Sequence, residues 1–269
     1  MATSALTAAP AVLLLYHAIG KQAPDGAARY AVTPARFAEQ LRLLRDLQSA
    51  RAITVMELRA WWSGAACTGR PVVLCFDDGG RSDFEQALPA LAAADLRASF
   101  FISTALTGSA GYMTWREIAA LRSAGMDVEC HGHRHLALTG MTPPVLEREL
   151  RTARHLLHER VGAHAQFLAA PYGAWNRRVR EAALCAGFRA LCTSQPGRAR
   201  AGRIRLGRNA LRRSTSVGQL QAWLLGRPGS YAARIGRDWL LWTPKHILLR
   251  LRPTWAGPEA ARAASRSSF

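Results

Sequence analysis

The run V-V-L-C-F-D-D-G-G, Val72 to Gly80, decides how this chain is read: a continuous apolar stretch ends in two adjacent carboxylates and two glycines. A short apolar run containing Val and Phe and bounded by glycine predicts a strand buried on both faces. Side chains alternate along a strand, so Asp77 and Asp78 leave its end in different directions. An isolated Asp-Asp-Gly can also be only a turn whose acids cap the next helix. The rest of the chain has to separate these two meanings.

The 269 residues, 49% of them hydrophobic, suffice for one α/β domain with at most an appendage. The five cysteines, Cys67, Cys75, Cys130, Cys185 and Cys192, are odd in number and show no C-x-x-C spacing, which argues for reduced thiols over a disulfide framework or a cysteine zinc site. No Lys or Arg precedes Lys21, and Pro10 interrupts the early apolar stretch, so the expectation is a cytoplasmic protein without a signal peptide. The net charge of +18 is uneven: Pro196 to Pro253 holds thirteen Lys or Arg against Asp238 alone, +12 of the total. This predicts a basic C-terminal surface, able to attract anionic lipid or polyanionic glycan. Nucleic acid would rest on charge alone and is not expected as a partner.

Working outward, Ala11 to Tyr16 reads as a first buried strand. Thr33 with Pro34 opens a helix carrying Phe37, Leu41, Leu44 and Leu47. Capping boxes are expected at Thr54-Glu57, Ser82-Glu85 and Thr114-Glu117, each opening a helix. Ala98 to Ile102, Met126 to Cys130, Gln166 to Ala170 and Arg189 to Thr193 read as strands. Thr142-Pro143 starts a long helix that Gly162 stops, and Asn176 to Ala186 reads as another. Beyond Gln195 the pattern weakens to a short strand at Ile204 to Leu206 and a helix at Ser216 to Leu225. Strands of four to six residues alternating with longer helices predict parallel β/α units and a closed or partly closed barrel. Residues 1–230 are expected to form the catalytic domain, 231–256 a basic amphipathic segment and 257–269 a disordered tail.

In such an architecture reactive groups gather where the strands end. One strand end brings Asp77 and Asp78, another C-H-G-H-R-H with His131, His133 and His135, another Pro171-Tyr172-Gly173, and the first Tyr16-His17. His131 and His135 are four apart, so two imidazoles meet one ion if the segment turns helically. A carboxylate then completes the three-ligand face of a catalytic zinc site, which keeps a position open for water. One acid of the pair can bind the metal while its neighbour takes a proton from water. The metal and a backbone N–H beside Pro171-Tyr172 can stabilise the oxyanion. His17 or His133 can protonate a leaving amine, since an imidazole paired with a carboxylate is charged near neutrality.

Together, C-F-D-D-G (75–79), H-G-H-R-H-L (131–136) and F-L-A-A-P-Y-G (167–173) resemble the successive motifs of the polysaccharide deacetylase family, the NodB-homology domain of carbohydrate esterase family 4. Ala98-Ser-Phe-Phe-Ile102 and Met113-Thr-Trp-Arg-Glu117 are similar lead-ins, and the resemblance spans Ala11 to Leu211. It implies a distorted (β/α)7-type barrel, a divalent metal that is usually Zn2+, and removal of N-acetyl or sometimes O-acetyl groups from glycans. Carried over by position, it implies Asp77 as base, Asp78, His131 and His135 as metal ligands, and the Tyr172 N–H as an oxyanion donor. The opening L-L-Y-H-A resembles a branch with its acid histidine near the N-terminus, acting on poly-N-acetylglucosamine among other glycans, which points to His17.

His133, Arg134, Pro171 and Trp175 are the expected substrate contacts. The arginine that commonly opens the third motif is absent: Leu168-Ala-Ala precede Pro171, leaving Asp77 without the family's usual support. Gly80 stands where many members carry a bulky residue. The expected function is hydrolysis of an N-acetyl group on an amino sugar of a polysaccharide or its precursor. The alternatives are a deformylase or deacetylase of a lipid-linked sugar, held peripherally at the inner membrane face by the C-terminal segment, and a catalytically silent glycan-binding member.

Overall fold

The structure is a computed structural model describing residues 9–21, 28–65 and 69–231. The expected amphipathic segment, apart from Tyr231, and the expected tail lie outside the described residues, as does Cys67. Among the described residues twelve strands and seven α-helices follow one another as β1 (Ala11–Tyr16), β2 (Ala18–Ile19), β3 (Ala31–Val32), α1 (Pro34–Asp46), β4 (Ala50–Ile53), α2 (Val55–Trp62), β5 (Arg70–Phe76), α3 (Leu88–Ala93), β6 (Ser99–Ile102), α4 (Trp115–Ser123), β7 (Asp127–Cys130), α5 (Pro143–Val161), β8 (Phe167–Ala169), α6 (Arg177–Cys185), β9 (Ala190–Thr193), β10 (Arg198–Ala199), β11 (Arg205–Gly207), β12 (Asn209–Ala210) and α7 (Val217–Leu225). The main sheet runs β10-β1-β5-β6-β7-β8-β9-β11, with β4 on β5 and β12 on β1. The result is the expected α/β fold with a nearly closed, mostly parallel barrel.

Closure depends on six residues. Leu206 of β11 pairs with Cys192 of β9, and Asn209 of β12 pairs with Leu14 of β1, so residues 205–210 carry the sheet from its last major strand back to its first. Arg208 is the residue at the crossing. Asn209 anchors the turn, its Nδ2 donating to the carbonyls of Leu13 (3.2 Å) and Gly197 (2.8 Å).

The alternation of β1 and β5 sorts the core into two layers. Val12, Leu14, Tyr16, Val72, Leu74 and Phe76 pack in one cluster with residues of the surrounding helices. Leu13, Leu15, Val73 and Cys75 pack inside the barrel with Phe101, Phe167, Cys192 and Leu206. Continuing that alternation, His17 and Asp77 fall on the barrel side. Cys75, Cys130 and Cys192 are buried free thiols and Cys185 is an exposed one.

The caps explain most helix starts. Thr54 and Thr114 form complete capping boxes with Glu57 and Glu117, and the side chains of Thr33, Asn176 and Ser216 accept cap bonds. The Ser82-Glu85 box does not form: Ser82 is already in helical conformation, and its Oγ accepts from the Ile19 N–H at 3.3 Å. Asp83–Ala87 instead makes a π-helical turn ahead of α3. Among the described residues no helix is long and apolar enough to cross a membrane.

Candidate active site

Register brings the reactive residues level. Tyr16 pairs with Phe76, Phe76 with Phe100, Ile102 with Cys130, and Cys130 with Leu168, so His17, Asp77, Ser103, His131 and Ala169 emerge at one rim. The Asp77 N–H donates to the Tyr16 carbonyl (3.0 Å) and the His131 N–H to that of Ile102 (2.9 Å), carrying the ladder to the residues that matter. Four non-glycine residues among those described have a left-handed backbone: Asp78, His135, Tyr172 and Asp95. Three of the four are site residues, and sparsely populated conformations of this kind gather where function requires them.

Asp78 Oδ1 lies 3.2 Å from His131 Nε2 and 3.0 Å from His135 Nε2. One donor atom from each of the three side chains falls within 4.8 Å of the others, the only such group among the described residues. The donor chemistry fits a divalent cation. The Nδ1–H of His131 donates to the Ala169 carbonyl at 2.9 Å, which directs Nε2 and its lone pair toward the group. Burial alone would raise the Asp78 pKa, but His135 and His131 outweigh it and hold the carboxyl well below its ordinary range. A helical turn was expected to bring the two histidines together. The segment is instead a loop with positive φ at Gly132 and His135. Glu149 of α5 secures it, accepting from the backbone N–H of His133 (3.0 Å) and Arg134 (2.6 Å) and from Arg134 Nε (2.8 Å).

Asp77 stands apart from the triad, its Oδ2 3.9 Å from His131 Nε2. Arg208 grips it bidentately, Nη1 to Oδ1 and Nη2 to Oδ2, both at 2.6 Å. Burial would raise the Asp77 pKa, yet the Arg208 guanidinium, with His131, brings it below the ordinary carboxylate value. The arginine missing from the third motif is thus supplied by the closing turn of the barrel. This corrects the reading of the whole basic stretch as surface, because Arg208 is fully buried, with its guanidinium 5.2 Å over the Phe101 ring.

His17 sits close enough to Asp78 and Asp77 to feel both charges, but its buried Nδ1 has no hydrogen-bond partner among the described residues. Burial lowers its pKa more than the carboxylates raise it. The expected direct pairing with a carboxylate, and the charged imidazole it would give, is therefore not what the free site holds. His133 Nδ1 is 2.8 Å from Thr104 Oγ1, and burial lowers its pKa as well. Arg134 has its Nε committed to Glu149. Pro171 is buried beneath the turn, and the Tyr172 ring lies 4.9 Å from that of His135. Trp175 packs on the core with the Arg205 guanidinium 4.6 Å over its ring. Gly80 forms a bridge with Tyr112, closing the loops over β5 and β6 together.

A family model described as polysaccharide deacetylase matches residues 65–191. The polysaccharide deacetylase-type protein YxkH of Bacillus subtilis (strain 168) is 26% identical over 128 residues, 48% of this chain and 46% of that protein, so the chain spans about half the length of this curated relative. The Streptococcus pyogenes deacetylase PplD, solved in complex with acetate, superposes with a TM-score of 0.74 at 26% identity, over 80% of this chain and 98% of that one. IcaB from Ammonifex degensii superposes with a TM-score of 0.72 at 23% identity, over 80% and 97% of the two chains, a likeness of fold.

Proposed function

Because this chain belongs to the polysaccharide deacetylase family, we propose that it is a metal-dependent hydrolase that removes an N-acetyl group from an amino sugar in a polysaccharide or its precursor. One observation carries the reading: beside a possible ligand triad lies a second buried carboxylate, Asp77, that is kept out of the triad and kept ionised by Arg208. A glycan-binding module has no need of a buried base beside three converging ligands.

Asp78, His131 and His135 would hold the cation, and two imidazoles with one carboxylate and an open side suit zinc. When bound, such a cation supplies Lewis acidity toward the acyl oxygen and toward water. Asp77 accepts a proton from the attacking water. Arg208 is its positioning residue, holding both carboxylate oxygens in one plane. Pro171 and the left-handed Tyr172 fix the rim turn, and the Tyr172 N–H is assigned to the developing oxyanion.

His17 protonates the leaving amine. It enters neutral because burial dominates its pKa; negative charge developing beside it raises its affinity for a proton, so it takes up from solvent the proton it then gives to the amine, while Asp77 returns to solvent the one it took from water. His133 and Arg134 belong to the rim, with Thr104 and Glu149 limiting their freedom to reach substrate. The test is acetate release by the zinc-loaded protein from N-acetylglucosamine oligomers. Release that stops on chelation and returns with metal is expected. Metal-independent release would refute the reading, as would none from any N-acetylated glycan.

A further inference from the structure

Next to His17 the rim carries positive charge that the hydrolytic mechanism does not use. The His17 ring lies 4.8 Å from that of Tyr30. Over the Tyr30 ring stand two guanidinium carbons, Arg29 at 4.9 Å and Arg212 at 5.6 Å from its centroid. Arg213 ties the two segments together: its backbone N–H donates to the Arg29 carbonyl (3.0 Å), and its Nη2 to the Lys21 carbonyl (3.2 Å). Among the described residues no carboxylate lies within ion-pair distance of any of these cations.

The arrangement is fixed from below. The Leu211 N–H donates to the Leu15 carbonyl of β1 at 2.7 Å, tying the segment to the barrel. The Arg212 N–H donates to Thr215 Oγ1 at 3.0 Å, and the Thr215 N–H returns to the Arg212 carbonyl at 2.9 Å. Arg212 Nε is buried and finds no acceptor among the described residues. Two guanidinium groups over one ring, with no carboxylate beside them among the described residues, repel one another, and an oxyanion relieves that repulsion while accepting their forked N–H donors. A purely neutral glycan gains nothing from such a rim, and its deacetylated product, carrying ammonium groups, would be repelled by it.

We propose that Arg29 and Arg212, both over the Tyr30 ring, form a subsite for an oxyanion carried by the glycan near the N-acylated residue. The substrate class is then an acidic amino-sugar glycan or a phosphorylated precursor. This deepens the deacetylase reading and rests on it for the position of the reacting sugar.

The experiment compares three oligosaccharides of matched length on the zinc-loaded protein: a neutral N-acetylglucosamine oligomer, the same oligomer with a terminal phosphate, and one alternating N-acetylglucosamine with a uronate. Binding is followed calorimetrically and acetate release is measured alongside. At least one charged ligand is expected to bind about tenfold more tightly than the neutral one, a preference that narrows as salt rises. In the Arg29→Gln/Arg212→Gln double variant, checked for an unchanged melting temperature, the preference should collapse. The phosphate and uronate arms identify which oxyanion is taken. Equal or absent binding of the charged ligands overturns the subsite, as does a preference that survives the double substitution. Acetate release without charge preference removes only the subsite, whereas charge-selective binding without acetate release from any ligand removes the deacetylase reading and leaves the subsite standing.

Discussion

Replacing Arg208 by Met removes the guanidinium that holds Asp77 and leaves a carboxylate buried in the barrel with no partner of comparable strength. Both side chains are almost wholly inaccessible, and the pair makes two 2.6 Å hydrogen bonds. Breaking one side of a buried pair of this kind costs about 3–5 kcal/mol. For a domain of this size that corresponds to a fall in Tm of roughly 6–20 °C at neutral pH. The sign with pH follows from the Asp77 pKa, which Arg208 and His131 depress against the opposing effect of burial. A depressed carboxylate contributes stability that is present above its unfolded pKa and lost as pH falls through the folded value. Without Arg208, burial dominates and the Asp77 pKa rises. The stability gap between wild type and variant is therefore widest at neutral pH and narrows at about pH 4, where the carboxyl is protonated in the variant. The acid limb of kcat/KM should move to higher pH in the same variant, with Arg208→Lys intermediate because it keeps charge without the planar fork. Thermal unfolding across pH and a pH–rate profile make the test. An unchanged Tm together with an unchanged acid limb would refute the reasoning.

Other consequences are equally accessible. His17→Gln should lower hydrolysis of N-acetyl amides by about 10²–10⁴-fold while sparing aryl acetates, whose leaving groups need no proton; equal losses on both substrates would remove His17 from the acid role. Glu149→Ala frees the loop between His131 and His135 and, on the proposed function, should weaken zinc binding about tenfold, read by competition with a chromogenic chelator; unchanged affinity with only a lowered Tm would limit Glu149 to stability. Asp83 is buried with neither oxygen hydrogen-bonded among the described residues, and burial, aided by Asp78 and Asp77, pushes its pKa well above the ordinary range. Its folded pKa exceeds the unfolded one, so stability falls as pH rises between the two values. Asp83→Asn should therefore raise Tm at neutral pH and leave it unchanged in acid, and a lowered Tm at neutral pH would show that the carboxylate is needed.

Much of the fold was legible because local signals agreed with the global pattern. The apolar runs of β1, β5, β6 and β9 are long enough to announce buried strands, β7 shows instead the alternation Asp127-Val128-Glu129-Cys130, and Thr33, Thr54, Thr114 and Asn176 form the caps that open their helices. β4 was missed because Ala50-Arg51-Ala52-Ile53 is half polar, and two-residue strands such as β2 and β12 carry no periodicity of their own. The Ser82 cap failed because the chain leaving Asp77-Asp78-Gly79-Gly80 is already turning when it reaches Ser82. The three triad residues were readable from motif and strand end, whereas their convergence depends on left-handed backbone at His135 and on Glu149, which no local pattern announces. Arg208 was hidden among many arginines. A faint signal existed in the alternation of Leu206, Arg208 and Ala210: the two apolar members belong to the inner layer, which places the arginine between them inside the barrel.

The central claim is that Asp77 is a base distinct from a metal-binding triad, and paired substitutions test it most directly. Zinc content and acetate release should be measured on wild type, Asp77→Asn and His131→Ala. The account predicts that Asp77→Asn retains zinc and loses nearly all turnover, while His131→Ala loses both. Ordinary turnover by zinc-loaded Asp77→Asn on every substrate that the parent hydrolyses would contradict it.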